Sequence, residues 1–147
     1  MRLSVIAVGK VAKQAGMRAE LDDYFGRIRR YARCEEVELK DGSVAEVAER
    51  FRKAIPARAR TVALEVNGER WTSDKLARFL GDCDLHAVTD VAFLIGGAYG
   101  LPPEVSKAAD RRLSLSDLTL PHRLARLVLA EQLYRGFTIL RNEPYSH

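Results

Sequence analysis

The sequence predicts one α/β domain, a mostly parallel sheet covered by helices on both faces. Three observations predict it. Short apolar, β-branched runs alternate along the chain with segments whose apolar residues recur every three or four positions. Several of those runs close on glycine or on an Asn-Gly or Asp-Gly pair, the turn chemistry of strand ends. The 147 residues, 47% hydrophobic and 30% charged, suit a single globular domain over residues 1–147, without repeats, low-complexity tracts or a linker.

Residues 3–9 (LSVIAVG) form an apolar run ending in glycine, the pattern of a buried parallel strand. Residues 14–32 follow as a helix, since Leu21, Tyr24, Phe25, Ile28 and Tyr31 share one face. A short alternating strand at 36–39 (EVEL) leads to the turn Asp41-Gly42. The second helix covers about 44–55, with Val44, Val47, Ala48 and Phe51 inward, and stops before Pro56. Residues 61–66 (TVALEV) make the third strand, closed by Asn67-Gly68, and Ser73 is expected to cap the next helix. The fourth strand is 90–95 (DVAFLI), running into Gly96-Gly97-Ala98-Tyr99-Gly100. A short helix starts at Pro102 or Pro103, residues 113–116 form a last strand, and a long helix runs from Pro121 to about Leu140. In that helix Leu124, Leu127, Val128, Leu129, Leu133, Tyr134 and Phe137 wrap more than one side. An arc that wide needs cover on two faces, which predicts a homodimer.

Composition excludes several classes. No apolar run approaches the roughly 18 residues that span a bilayer, so no membrane association is expected. The N-terminus turns charged without a cleavage site, so a cytoplasmic location is expected. Cys34 and Cys83 lie far apart, without CxxC or Cys/His ligand spacing, and predict free thiols and no metal. The net charge of +4 is uneven: from Arg111 onward six arginines face three acids, leaving only +1 for residues 1–110. Arg111, Arg112, Arg123, Arg126, Arg135 and Arg141 suit bidentate phosphate contacts, while a solvated face with pairs such as Glu131–Arg135 explains them equally well.

Two stretches carry chemistry. Residues 96–100 put backbone without Cβ at the carboxyl edge of a buried strand, where open α/β sheets bind ligands. No Lys-Ser/Thr follows and the spacing is not GxGxxG, so neither phosphate loop fits. In residues 113–122 (LSLSDLTLPH), Ser116 and Thr119 are candidate caps, and Pro121 presets the helix start. His122 stands at the positive end of the helix dipole, a candidate base or hydrogen-bond partner. Beyond the helix, Pro144-Tyr145 suggests a docked tail whose Tyr145 stacks on a base.

Residues 3–10 (LSVIAVGK), 94–100 (LIGGAYG), 113–122 (LSLSDLTLPH), 131–135 (EQLYR) and 142–145 (NEPY) resemble, in order and spacing, the RlmH family of SPOUT methyltransferases over essentially the full length. The resemblance implies a SPOUT fold with a C-terminal trefoil knot, an obligate homodimer, and S-adenosylmethionine as methyl donor without a metal. It implies methylation of N3 of a pseudouridine in large-subunit ribosomal RNA, on assembled ribosomes. Carried onto this chain, the cofactor pocket uses Leu64, Glu65, Gly96, Gly97, Gly100, Ser116, Asp117, Leu118, Thr119, Leu120 and Pro121. The acceptor side is expected to use His122, Arg135 and Tyr145, with Arg135 on phosphate or the developing anion and Tyr145 on the base. Relatives of that family commonly end Pro-Tyr-His plus a basic residue, whereas Ser146 and His147 stand at those positions here. The alternatives are a non-catalytic RNA- or ribosome-binding protein on the same fold, and a nucleotide enzyme holding ribose through Asp41 after the second strand.

Overall fold

The computed structural model describes residues 1–145, so the Ser146–His147 departure lies outside it. Five strands and five helices alternate: β1 (Arg2–Val8), α1 (Gly16–Ile28), β2 (Arg33–Leu39), α2 (Val44–Ala54), β3 (Arg60–Arg70), α3 (Ser73–Leu85), β4 (Asp90–Ile95), α4 (Pro103–Ala108), β5 (Arg111–Ser114) and α5 (His122–Leu140). The strands form one sheet in the order β2-β1-β4-β3-β5, every neighbouring pair parallel.

Strand parity divides the core. Leu3, Val5, Ala7, Val91, Phe93 and Ile95 face α1, α3 and α5, while Ile6, Val8, Ala92 and Leu94 face α2 and α4. Connections running toward the β2 edge cross on the first face, and those running toward β5 cross on the second, as a single crossover handedness demands. Helix α5 settles on the first face, against both α1 and α3. It buries Leu129, Leu133 and Phe137, but Leu124 stays 37% exposed and Leu127 and Val128 are only half-buried.

Several boundaries differ from the sequence reading. Helix α1 ends at Ile28 rather than 32, because the chain turns and Tyr31 stacks on Phe137 at 5.4 Å. Strand β2 starts at Arg33, since pairing with β1 from Arg2 onward extends it beyond its alternating part. Asn67-Gly68 does not close β3; the strand bulges there, with a register shift between Leu64 and Glu69, and runs on to Arg70. A Cβ on Gly68 would lie 2.8 Å from the Arg112 backbone, so the glycine serves close strand approach and not a turn. Thr72, not Ser73, caps α3, accepting from the Lys75 amide at 3.0 Å, while the Ser73 hydroxyl donates to Gln132 Oε1 at 2.6 Å. Strand β5 is Arg111–Ser114, two residues early, and α5 starts after Pro121 without a side-chain cap. Ser116 instead accepts the Leu118 amide at 2.9 Å, holding a turn between the two.

Candidate functional site

The bulge of β3 and the carboxyl ends of β4 and β5 surround one cavity of about 490 Å³, within the range of small-molecule sites. Its wall comes from Leu64 to Val66 at that bulge, the loop after β4, the segment from Leu113 to Pro121, and His122 with Ala125 at the start of α5. The glycine loop is a formed structure. Gly100 adopts φ +82° and donates its N–H to the Gly97 carbonyl at 3.0 Å. A Cβ on Gly96 would lie 2.2 Å from the Gly100 carbonyl carbon, so the two backbone passes touch only because that atom is missing.

Of the eleven residues expected to bind a cofactor, Leu64, Glu65, Gly96, Gly97, Gly100, Ser116, Leu118, Thr119, Leu120 and Pro121 line this cavity. Asp117 does not; its carboxylate reaches Arg70 at 2.9 Å in an exposed pair that tethers the loop to the end of β3. Val66, Ile95, Ala98, Leu113, Ser114, Leu115 and Ala125 complete the lining and were not anticipated. Ile95, Ala98, Leu113, Ser114 and Leu115 lie inside the motifs 94–100 and 113–122, Val66 follows Glu65, and Ala125 is one helical turn beyond His122. Asp41 is absent from the wall: it is exposed and accepts the Gly42 amide at 2.8 Å.

His122 lies at the cavity, its Nε2 3.9 Å from where a Cβ on Gly9 would stand. Arg135 and Tyr145 lie elsewhere. Arg135 is thirteen residues farther along α5, about 20 Å down the axis at roughly 1.5 Å per residue. There Glu131 gathers both: it accepts from Arg135 Nη2 at 2.7 Å and from the Tyr145 hydroxyl at 2.8 Å. The Arg135 guanidinium lies 5.0 Å over the Tyr145 ring, and that ring meets Tyr134 edge-on at 4.6 Å. Burial pushes the Glu131 carboxyl up, yet the Arg135 and Tyr145 hydrogen bonds outweigh it and hold the group below its ordinary range. Burial and the bond to Glu131 push the Tyr145 phenol up, so it stays a donor at neutral pH.

One feature went unseen in the sequence. Arg126, 1% exposed, donates to Glu36 at 2.8 Å, Glu38 at 2.6 Å and the Gly9 carbonyl at 3.1 Å. Arg18 adds a second guanidinium, bonding Glu36 at 2.5 Å, while Glu38 also accepts the Val11 amide at 2.7 Å. Burial raises the Glu38 carboxyl, but the Val11 amide and Arg126 more than offset this and hold it low. The quartet fixes the turn after β1, against which His122 rests. Its only trace in the sequence is two glutamates at i, i+2, on one side of a strand. It also withdraws Arg126 from the expected phosphate-binding arginines. Arg112 is withdrawn too, donating to the Ser106 and Ala109 carbonyls.

A parallel α/β sheet with a backbone-lined cavity at its carboxyl edge is the architecture of a small-ligand-binding domain. The whole chain, residues 1–147, matches the family described as "Predicted SPOUT methyltransferase". The chain belongs to this SPOUT methyltransferase family. It is 54% identical over 147 residues, covering all of both chains, to the Ribosomal RNA large subunit methyltransferase H of Sorangium cellulosum (strain So ce56). The protein of the same name from Geobacter metallireducens is 43% identical over 154 aligned positions, covering 100% of this chain and 99% of the relative. Among solved structures, a probable methylase family protein from Haemophilus influenzae superposes with a TM-score of 0.54 at 11% identity, covering 99% of this chain and 70% of that one. TrmJ from Z. mobilis gives 0.50 at 14% identity, covering 100% and 73%. At such identities these two speak for the fold alone.

Proposed function

We propose that this chain is an S-adenosylmethionine-dependent methyltransferase of large-subunit ribosomal RNA that methylates N3 of a pseudouridine on assembled ribosomes. In this reading it works in the cytoplasm as a homodimer of one domain, residues 1–147. The observation that carries the reading is the chemistry of the cavity wall. It offers apolar surface, loop backbone, the Glu65 carboxylate and His122, with no lysine or arginine among the described residues. A polyphosphate would require cations there, whereas a ligand bearing a sulfonium and an ammonium is matched by a carboxylate. The names of the relatives supply the RNA class.

S-adenosylmethionine supplies an electrophilic methyl group on sulfur. The residues of the chain supply position, which accounts for much of the acceleration in such a displacement. Gly96, Gly97 and Gly100 let the loop backbone approach the cofactor closely, and Leu64, Ser116, Leu118, Thr119, Leu120 and Pro121 enclose it, with Asp117 bracing the loop through Arg70. His122 faces the acceptor, where its imidazole takes or steers the N3 proton. Arg135 and Tyr145 hold phosphate and base. Because about 20 Å of helix separates them from His122 in one protomer, an acceptor site using all three draws on two copies. The uncovered Leu124, Leu127 and Val128 of α5 support that homodimer. Support for the trefoil knot comes from the path of the chain. β5 lies at the sheet edge, and the segment 115–121 returns across the ends of β3 and β4, past the glycine loop, to start α5 over the middle of the sheet.

The test is methyl transfer from radiolabelled S-adenosylmethionine to ribosomes from a strain lacking the endogenous enzyme, beside naked ribosomal RNA and ribosomes carrying uridine at the target. Label confined to pseudouridine-containing ribosomes is expected. No label on any substrate from a folded dimer, with no saturable cofactor binding, would move the chain to a non-catalytic RNA- or ribosome-binding role. Normal turnover by His122→Ala would take His122 out of the acceptor site.

A further inference from the structure

We propose that Tyr99 is an RNA-binding residue whose ring stacks on an unstacked base flanking the acceptor, at the mouth of the cavity. The proposal rests on the RNA-methyltransferase reading above. Four of the five tyrosines belong to one aromatic group, Tyr24, Tyr31, Tyr134 and Tyr145, packed through Phe137 and α5. Tyr99 stands apart and is 100% exposed, with no ring or cation against it among the described residues.

Its loop gives the exposure meaning. Ala98 and Gly100, on either side of Tyr99, line the cavity, while Tyr99 does not, so the ring leaves the wall and projects from the rim. The backbone beneath is fixed by the Gly97–Gly100 bridge and by the contact of Gly96 with Gly100 and Leu101. A tyrosine on an immobile loop has only two side-chain torsions left to order on binding. On the same cavity, Lys10 follows Gly9, which meets the His122 imidazole, and Arg123 follows the cavity-lining His122 itself. Both are exposed and make no ion pair among the described residues. An exposed aromatic face and unpaired cations around one cavity are the composition that binds unpaired nucleotides, stacking the base and meeting the phosphate. The β3 and linker side of the mouth is aliphatic instead, with Val66 60% and Leu118 76% exposed, which suits a protein surface and not a base.

The experiment compares wild type with Tyr99→Ala, Tyr99→Phe and Tyr99→Trp. Three quantities are measured: affinity for ribosomes lacking the methylation, S-adenosylmethionine affinity, and mass in solution by sedimentation. With nothing packed on the ring, all variants should fold. Tyr99→Ala should weaken ribosome binding about 5- to 150-fold, while Phe and Trp stay within a few-fold of wild type. Cofactor affinity and mass should not change. Unchanged ribosome affinity in Tyr99→Ala overturns the proposal, as does a loss that tracks dissociation of the dimer, which would assign the ring to a second copy. Methyl transfer by the wild type is scored separately. If it fails while the affinity pattern holds, the enzymatic reading falls and the base-stacking role stands.

Discussion

The two ends of α5 solve opposite problems. Around His122 the structure is built by subtraction: three glycines, a bulged strand and a proline-led helix start leave backbone and apolar surface facing an open cavity. Around Arg135 it is built by pairing, with one carboxylate holding a guanidinium and a phenol among stacked rings. The first end offers shape and backbone, with Glu65 and His122 on its wall; the second offers paired charge and aromatic area. Between them sits buried Arg126, one turn from His122, neutralising two half-buried glutamates. On the function proposed here, one helix then carries a cofactor end and an RNA end, with an ionic clamp around the buried Arg126 between them.

Breaking the clamp should have the largest effect. Arg126→Met leaves Glu36 and Glu38 with Arg18 alone and removes the tie to the Gly9 carbonyl. Losing one partner of a buried network costs about 3–5 kcal/mol, which for a chain of this size lowers Tm by about 6–20 °C. Thermal unfolding followed by circular dichroism measures it, and a Tm within 2 °C of wild type, below even the low end of that ~6 °C range, would mean the quartet is dispensable.

Gly96→Ala tests the cofactor end. The new Cβ meets backbone at 2.2 Å, so the loop itself has to move. A displacement on the order of 1 Å costs about 100-fold in turnover, and calorimetry should show S-adenosylmethionine affinity falling with it. Glu131→Gln tests the RNA end. The amide keeps the shape but loses the charge that orients Arg135, and Tyr145 loses an ionised acceptor. Ribosome KM should rise about tenfold with cofactor affinity unchanged, the size of one charge-assisted hydrogen bond. If each substitution instead impairs both quantities equally, the two ends are not separable.

What the sequence disclosed follows the same division. The succession of strands and helices along the chain and the glycine loop were legible because period and missing side chains act locally: residues 96–100 read as a ligand edge from sequence alone. Residues 113–122 were legible as a motif but not as geometry. The shift of β5 to Arg111 and the capping of a turn by Ser116 depend on its pairing with β3, which no local pattern encodes. The Arg126 quartet joins residues about ninety positions apart, and the sequence signal for Arg126 pointed outward, to phosphate. The Glu131–Arg135 pair did show, as an i, i+4 spacing, but its union with Tyr145 did not.

Acid separates buried from exposed pairing, with a smaller effect. Glu38 and Glu131 are held below the carboxylate value of 4.5 in the folded protein and return to it on unfolding. Stability from these groups is therefore complete above about pH 4.5 and is lost as the pH falls toward their folded values. Glu69 is pulled lower still, to about 2, by hydrogen bonds from Arg111 and Trp71, but its carboxylate is exposed. The rank order should reverse in salt. At 1 M ionic strength, where the Debye length is about 3 Å, the Glu69 contribution is screened while that of Glu38, enclosed with Arg126, persists. Tm measured from pH 6 to pH 3 should be flat to about pH 5 and then fall, nearly as steeply at high salt as at low. Glu38→Gln should flatten that acid limb, and Glu69→Gln should leave it unchanged in 1 M salt. An acid limb abolished by salt would show that surface pairs and not the clamp set the acid response, and a Tm that rises between pH 5 and pH 3 would show that neither does.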